Sequence, residues 1–415
     1  MKITIIALGT EGDVRPLVAL GGGLRREGYE VCLATTSAFS DLVRSENIGF
    51  SLFNGNFKEL LLKESNDLKK SGNSPKSMEK SMKCMIQSVG PAWAEQGIAA
   101  CKDADIIIAG SVAVYLAAAL AEILNKPFVQ VHLAPAGLIR EIPMAPSPLM
   151  NHILHSAITM MLWQPIRPVV NNILRRKYGL RPYPWYGPQK QLNKMKKHIL
   201  FGMSPNVVPH KDDLPEYIRI TGNWILNRVE TWKPSQQLLD FLDAGVKPIY
   251  IGFGSIPSKD SDKIKKIVLE AVSLSGCRAI MSAASLGFDE SDISIRNDQI
   301  FVIDHVPHDW LFKKVELAVH HGGAGATAAA IRAGIPSVVV PFFGDQNYWA
   351  WCIEQLGVST KKIAGKDLTA ENLADAIRQA KDKQIKEKAK LLGDKVLAED
   401  GIKTAINALK DWKLI

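Results

Sequence analysis

Short apolar runs, each closed by glycine or a polar residue and followed by a stretch of helical period, recur along this 415-residue chain. In the front half the runs are Ile3 to Leu8, Glu30 to Thr35, Phe50 to Phe53, Asp105 to Ala109, Phe128 to Leu133 and His198 to Met203. In the rear half they are Pro248 to Phe253, Arg278 to Ser282, Ile300 to Ile303, Leu317 to His321 and Ser337 to Phe342. Most are β-branched without apolar-polar alternation, the mark of strands buried on both faces of a parallel sheet. Helices are predicted over Val14 to Glu27, Lys259 to Ser275 and Thr327 to Ala333, and they dominate from Thr369 onward. The fold class is therefore α/β, and the length is that of two domains. Ser204 to Asn223, with Pro205, Pro209, Pro215 and Gly222, reads as the linker, so the domains are placed at 1–215 and 216–400.

Some stretches break the pattern. Gly21, Gly22 and Gly23 fall inside the first helix, where each costs roughly 1 kcal/mol relative to Ala, so a neighbour must approach closely there. Asn54 to Met85 is Lys- and Ser-rich and reads as a mobile excursion. Pro135 to Pro168 reads as an irregular apolar stretch, its Met144, Met150, Met161 and Trp163 forming a wall for a greasy ligand or ordinary core. Asp103 and Asp105 precede their strand and so lie at its wrong edge for a metal site. Lys381 to Lys390 reads as a solvated helical face.

Composition narrows the class. With 47% hydrophobic and 22% charged residues the chain is a globular protein, and the apolar uncharged run Ile106 to Ala121 is too short to span a bilayer. Five cysteines without CxxC spacing argue against a disulfide framework or zinc site and for a cytoplasmic setting, and no signal peptide is evident at Met1. The net charge of +9 leaves room for peripheral contact of the basic N-terminal domain with an anionic membrane surface. No aromatic-interleaved basic motif appears, so nucleic acid is set aside.

The densest chemistry lies in Leu317 to Trp349, which reads strand, glycine loop, helix, strand. Such a crossover is parallel, so the loop Gly322, Gly323, Ala324, Gly325, Ala326, Thr327 and the loop bearing Asp345 and Gln346 share one sheet edge. A helix N-terminus there favours a phosphate, and His321 adds a side-chain donor. A carboxylate beside a phosphate turns toward neutral hydroxyls, which points to a nucleotide sugar. In the first domain, Gly9, Thr10, Glu11, Gly12, Asp13 follow the opening strand but match neither a Walker loop nor a dinucleotide fingerprint. Asp13 sits where an N-cap belongs, and capping competes with a catalytic role for it.

The segment HHGGAGATAAAIRAGIPSVVVPFFGDQ resembles the donor-binding signature of UDP-sugar-dependent glycosyltransferases of GT-B fold. PFFGDQ followed by Trp349 is most similar to the sterol 3-beta-glucosyltransferase branch and its bacterial relatives, and WQPIRPVVNNILRRKYGL resembles that branch more loosely. Ala326 stands where the family usually has Thr, and Ala329 where plant members carry a ribose-binding Glu. The resemblance implies two Rossmann-like domains facing across a cleft, the first binding acceptor and the second donor, with a last helix, 401–415, crossing back to the first. GxxGDxxP at Gly9 to Pro16 is similar to the bacterial N-terminal motif, which makes Asp13 the implied base and puts Gly12 beside the donor. Gly254 and Ser255 match the loop touching the nucleotide, and His305 and Val306 the segment holding the base, with His305 in place of the plant Trp. Asp345 and Gln346 match the sugar-hydroxyl pair.

These roles imply inverting transfer of a hexose, glucose by resemblance, from a UDP-sugar to a hydrophobic alcohol such as a sterol. Asp13 deprotonates the acceptor and the loop with His321 stabilises the departing diphosphate, without metal or other cofactor. A nucleotide-sugar 2-epimerase of the same architecture, and a non-catalytic binding protein, stay open.

Overall fold

The computed structural model describes residues 1–55, 75–135, 142–145, 147–226, 232–254, 261–286, 288, 298–304, 306–342 and 344–415. The chain divides into two compact units, Met1–Leu226 with Asp400–Ile415, and Asn227–Glu399.

The first unit is built on a seven-stranded parallel sheet. Its strands are β1 (Lys2–Leu8), β2 (Glu30–Thr35), β3 (Gly49–Leu52), β4 (Ile106–Ser111), β5 (Phe128–His132), β6 (His198–Phe201) and β7 (Ile218–Ile220), ordered β3-β2-β1-β4-β5-β6-β7. On β1, Ile5 and Ala7 enter one core and Ile6 and Leu8 the other, which is why the strand reads apolar throughout. One core is filled by Trp93, Tyr115 and Trp163. The other is closed by the chain's last helix, Gly401–Asp411, through Ala405, Ile406 and Leu409.

That helix and the segment before β3 answer the glycine run. Gly23 lies against Ile402 so closely that a Cβ would overlap its Cγ2, and a Cβ on Gly21 would come within 3.0 Å of Ile48 Cδ1. Lys410 Nζ reaches Glu27 at 2.7 Å, and Trp412 Nε1 donates to the Glu216 carbonyl at 2.8 Å.

The structure changes several expectations in this unit. Residues 148–168 form one continuous helix, Pro148–Pro168, not an irregular wall: Ser147 caps it, Pro148 takes the first helical position, and the Met residues that suggested greasy adaptability are good helix formers. The excursion at Asn54 to Met85 is helical from Pro75, in a helix running to Cys101, while 56–74 lie outside the described residues. The linker segment contains β7, which pairs with β6 through Ile199↔Ile218, because Ile218 and Ile220 extend the sheet despite the flanking prolines.

The second unit has a five-stranded parallel sheet of β8 (Ile249–Gly252), β9 (Ala279–Ser282), β10 (Ile300–Ile303), β11 (Ala318–His320) and β12 (Ser337–Val339), ordered β10-β9-β8-β11-β12. The segment Lys381 to Lys390 is not simply a solvated face: Lys386, on the helix Lys383–Leu397, reaches Glu316 at 2.8 Å, and Lys381, just before that helix, reaches it at 3.2 Å.

Candidate functional site

In both sheets the chain starts in the middle and winds outward in two directions. The reversal falls between β1 and β4 in the first unit and between β8 and β11 in the second, and loops leaving the carboxyl ends of such a strand pair diverge to leave a crevice. The candidate residues collect at these two points.

At the first, β1 ends at Leu8, whose register partner on β4 is Ser111. The helix Glu11–Arg26 begins after Thr10, which is its N-cap, so Asp13 occupies the third helical position rather than the cap itself. Its Oδ2 accepts the Thr10 amide at 2.8 Å and the Thr10 hydroxyl at 3.0 Å. Its Oδ1 accepts the Ser111 hydroxyl at 2.6 Å. Gly9 is obligatory here, with φ +143° and no room for a Cβ beside the Asp13 carboxylate, whereas Gly12 is exposed. Asp105, at the opposite edge, accepts the Lys2 amide at 2.7 Å, in keeping with its exclusion from the site.

At the second point, His321 leaves β11 and its imidazole lies between two glycines. A Cβ on Gly254, at the end of β8, would fall 2.7 Å from its Cε1, and one on Gly323 would overlap its Nε2. Burial, with His308 nearby, lowers His321 to about 4, so the ring is neutral near pH 7 and carries one N–H. Its Nδ1 is buried without a hydrogen-bond partner among the described residues.

The helix Ala324–Arg332 follows, with Gly323 as N-cap; its first i to i−4 bond is Thr327 N to Gly323 O at 3.0 Å, so the amides of Ala324, Gly325 and Ala326 have no helical carbonyl. Gly325 is exposed at this end, while Ala326 and Thr327 are buried and the Thr327 hydroxyl has no partner among the described residues.

The loop after β12 joins them. Gly322, at φ +84°, presses on the Gln346 carbonyl, which a Cβ would approach to 2.9 Å. Gln346 begins the helix Gln346–Gln355; it is buried, and its Oε1 accepts the Phe342 amide at 2.8 Å. Asp345 is exposed, and its Oδ2 accepts the Trp349 indole N–H at 3.0 Å.

Other predicted residues fall elsewhere. Val306 packs partly buried against the cluster of Tyr250, Phe301 and Leu311, while Ser255 and His305 lie outside the described residues. Trp163 is a correction: it is fully buried, edge-on to Tyr115 and Tyr183, and its Nε1 donates to Trp185 O, so it is core and not an acceptor wall. Met150 and Met161 are exposed and, with Ile153, lie along one face of their helix, three turns from end to end. Met144 is half-buried, its amide donating to Asn151 Oδ1 at 2.6 Å.

Two residues escaped the sequence reading: Ser111 and His320. His320 was visible as the first half of a His pair, but its inward direction on β11 was not. Ser111, at φ +51°, carried no signal, because a left-handed serine is written nowhere in a sequence.

Known proteins define the class. Residues 3–135 match the Glycosyltransferase family 28 N-terminal domain, and residues 285–409 match the Erythromycin biosynthesis protein CIII-like C-terminal domain. Solved structures similar over 99% of this chain include the glycotransferase of kitacinnamycin (TM-score 0.72, 16% identity, 98% of that chain) and the calicheamicin glycosyltransferase CalG4 (0.71, 16%, 98%). A spinosyn rhamnosyltransferase complexed with thymidine diphosphate matches at TM-score 0.64 and 16% identity, over all of its own chain. The chain thus has the GT-B fold of glycosyltransferases.

The resemblance read from the glycine-loop segment extends over nearly the whole chain. A sterol 3-beta-glucosyltransferase of Arabidopsis thaliana is 32% identical across 98% of this chain, and those of Emericella nidulans and Debaryomyces hansenii are 33% and 31% identical across 99% and 98%. The chain spans 65%, 30% and 26% of those three proteins respectively, so all are longer than the region they share with it. Among the described residues no helix is long and apolar enough to cross a membrane.

Proposed function

We propose that this chain moves a hexosyl group, glucose by its similarity to the sterol glucosyltransferases, from a UDP-sugar to the hydroxyl of a sterol or comparable lipid-like alcohol, with inversion at the anomeric carbon. The observation that supports this is the chemistry gathered at the two switch points. One holds a carboxylate with an open lone pair, suited to accept a proton; the other holds a neutral imidazole beside free helix-end amides, suited to a diphosphate.

In this reading Asp13 takes the acceptor proton as the oxygen attacks, and the bond from the anomeric carbon to the diphosphate breaks with its electrons leaving on UDP. The His321 N–H and the amides of the Gly323–Ala326 turn receive that charge, the nucleotide lies along Gly254 and Val306, and Asp345 and Gln346 address the sugar hydroxyls. His321, neutral in the unliganded chain, offers a hydrogen bond beside the positive end of the helix dipole. The first unit then serves the acceptor, with the exposed Met150–Met161 face as its apolar wall, and the second the donor. No divalent ion is needed in this scheme, and turnover is expected to survive EDTA.

The test uses UDP-glucose with cholesterol in detergent micelles. UDP release is expected only when the sterol is present, with a sterol glucoside as product. Asp13→Asn is expected to abolish transfer and leave UDP affinity by calorimetry nearly intact, and His321→Ala to weaken UDP. Rapid UDP release without any alcohol would overturn the transferase reading in favour of a 2-epimerase or hydrolase, and full activity in Asp13→Asn would remove the base.

A further inference from the structure

The geometry at the first switch point assigns a role to Ser111 that neither motif nor comparison gives: we propose that Ser111 is the residue that orients Asp13 for proton abstraction. This deepens the reading of Asp13 as base and rests on it.

A carboxylate has about four lone-pair directions. On Asp13, Oδ2 is filled by the two Thr10 donors, and Oδ1 receives the Ser111 hydroxyl at 2.6 Å. Among the described residues no further donor reaches Oδ1, so a single direction on that oxygen is left for a substrate proton. Thr10 alone would hold the carboxylate as part of a helix cap, which fixes one oxygen and lets the other swing about it. Ser111 supplies the second point of attachment, from the neighbouring strand and 98 residues away in sequence.

The backbone is arranged for this contact. Ser111 is one of five non-glycine residues with positive φ among those described, at +51°, and it lies at the carboxyl end of β4 directly opposite Leu8 of β1. A non-glycine residue in the left-handed region costs roughly 1–2 kcal/mol. Glycine would hold the same turn without that cost, so the serine side chain is what the strained position retains. Through the step the Ser111 hydroxyl keeps its own proton; the acceptor's proton goes to the open direction on Oδ1, and Ser111 stays hydrogen-bonded to the same oxygen. Ser111 is thus a positioning residue, acting through Asp13.

The experiment exploits the left-handed backbone. Ser111→Gly removes the hydroxyl and eases the turn, while Ser111→Asn keeps a side-chain donor on a residue that tolerates this conformation. With UDP-glucose and cholesterol as substrates, Ser111→Gly is expected to lower kcat about 10- to 100-fold, the scale of one hydrogen bond to a charged group. KM for UDP-glucose and the melting temperature are expected to stay near wild type, and Ser111→Asn to recover most of the lost kcat. Unchanged kcat in Ser111→Gly, or equal loss in the Gly and Asn variants, overturns the assignment. If Asp13→Asn is inactive while Ser111→Gly is fully active, only this inference falls; if Asp13→Asn is itself active, the base assignment fails and Ser111 with it.

Discussion

The amide of Gly322 donates to Nδ1 of His320 at 3.1 Å, while Nε2 on the same ring lies 3.1 Å from the Ser337 hydroxyl. The first bond requires a bare Nδ1, so the proton sits on Nε2 and faces Ser337, tying the start of the glycine loop to β12. A second proton would face the Gly322 N–H, and the ring is fully buried. Burial, followed by the nearby His321 and His308, lowers His320 from 6.5 to about 3. His132, also buried, is lowered to about 4, as is His321.

The sign of the pH dependence follows. These groups are neutral in the folded chain and protonate near 6.5 once unfolded, so their contribution is whole above that pH and is lost as pH falls toward the folded values. Each fully differing histidine adds a slope of about 1.4 kcal/mol per pH unit. Urea midpoints measured from pH 7.5 to pH 5 are expected to fall on the acid side, and His320→Asn to flatten that fall. A midpoint constant across this window would contradict the buried, neutral assignment.

Gly323 and Gly254 make room for the His321 ring in different ways, which two substitutions separate. Gly323 has an ordinary φ of −64°, so Gly323→Ala suffers only from the ring contact, an overpacking cost of about 1–3 kcal/mol. Gly254 has φ +68°, so Gly254→Ala adds a backbone penalty of roughly 1–2 kcal/mol. In a His321→Ala background the first loss is expected to vanish and the second to persist in part. Denaturant melts of both pairs give the comparison, and persistence of the Gly323→Ala loss without the imidazole would disprove the contact.

Gly23→Ala would ordinarily stabilise a helix by about 1 kcal/mol. Here its methyl would overlap Ile402 of the last helix, so the substitution is expected to destabilise the protein. Combined with Ile402→Ala, the same change is expected to become neutral or stabilising relative to Ile402→Ala alone. A stabilised single variant in a thermal melt would mean that the C-terminal helix does not pack where the structure puts it.

Trp349 holds Asp345 through its indole N–H at 3.0 Å. Trp349→Phe keeps the ring bulk and removes the indole donor, and with it one hydrogen bond that orients the carboxylate. If Asp345 addresses the sugar, kcat/KM for UDP-glucose is expected to drop about tenfold, the scale of one hydrogen bond to a charged group, with UDP affinity unchanged. Equal losses for UDP and UDP-glucose would point instead to general damage of the loop.

Local pattern settled what depends on neighbours in sequence. Unalternating apolar runs mean strands covered on both sides, so β1, β4, β5 and β11 were legible; glycines after β8 and β11 marked the two turns that close on His321. The misreadings have one cause in common. Whether 148–168 is a helix, whether Trp163 is core, and whether Ile218 to Ile220 joins a sheet all depend on what packs alongside, and the letters of those segments fit either outcome.

The sequence by itself established two parallel-sheet units, a glycine-cradled helix end and a conspicuous Asp13, because strand burial, helix polarity and backbone freedom are local physics. Only the tertiary structure could bring Ser111 to Asp13, thread His321 between Gly254 and Gly323, and turn His320 inward. The Ser111 and Gly254 contacts join loops at the points where strand order reverses, and His320 ties β11 to β12; such meetings are fixed by the sheet's assembly and not by any single stretch of chain.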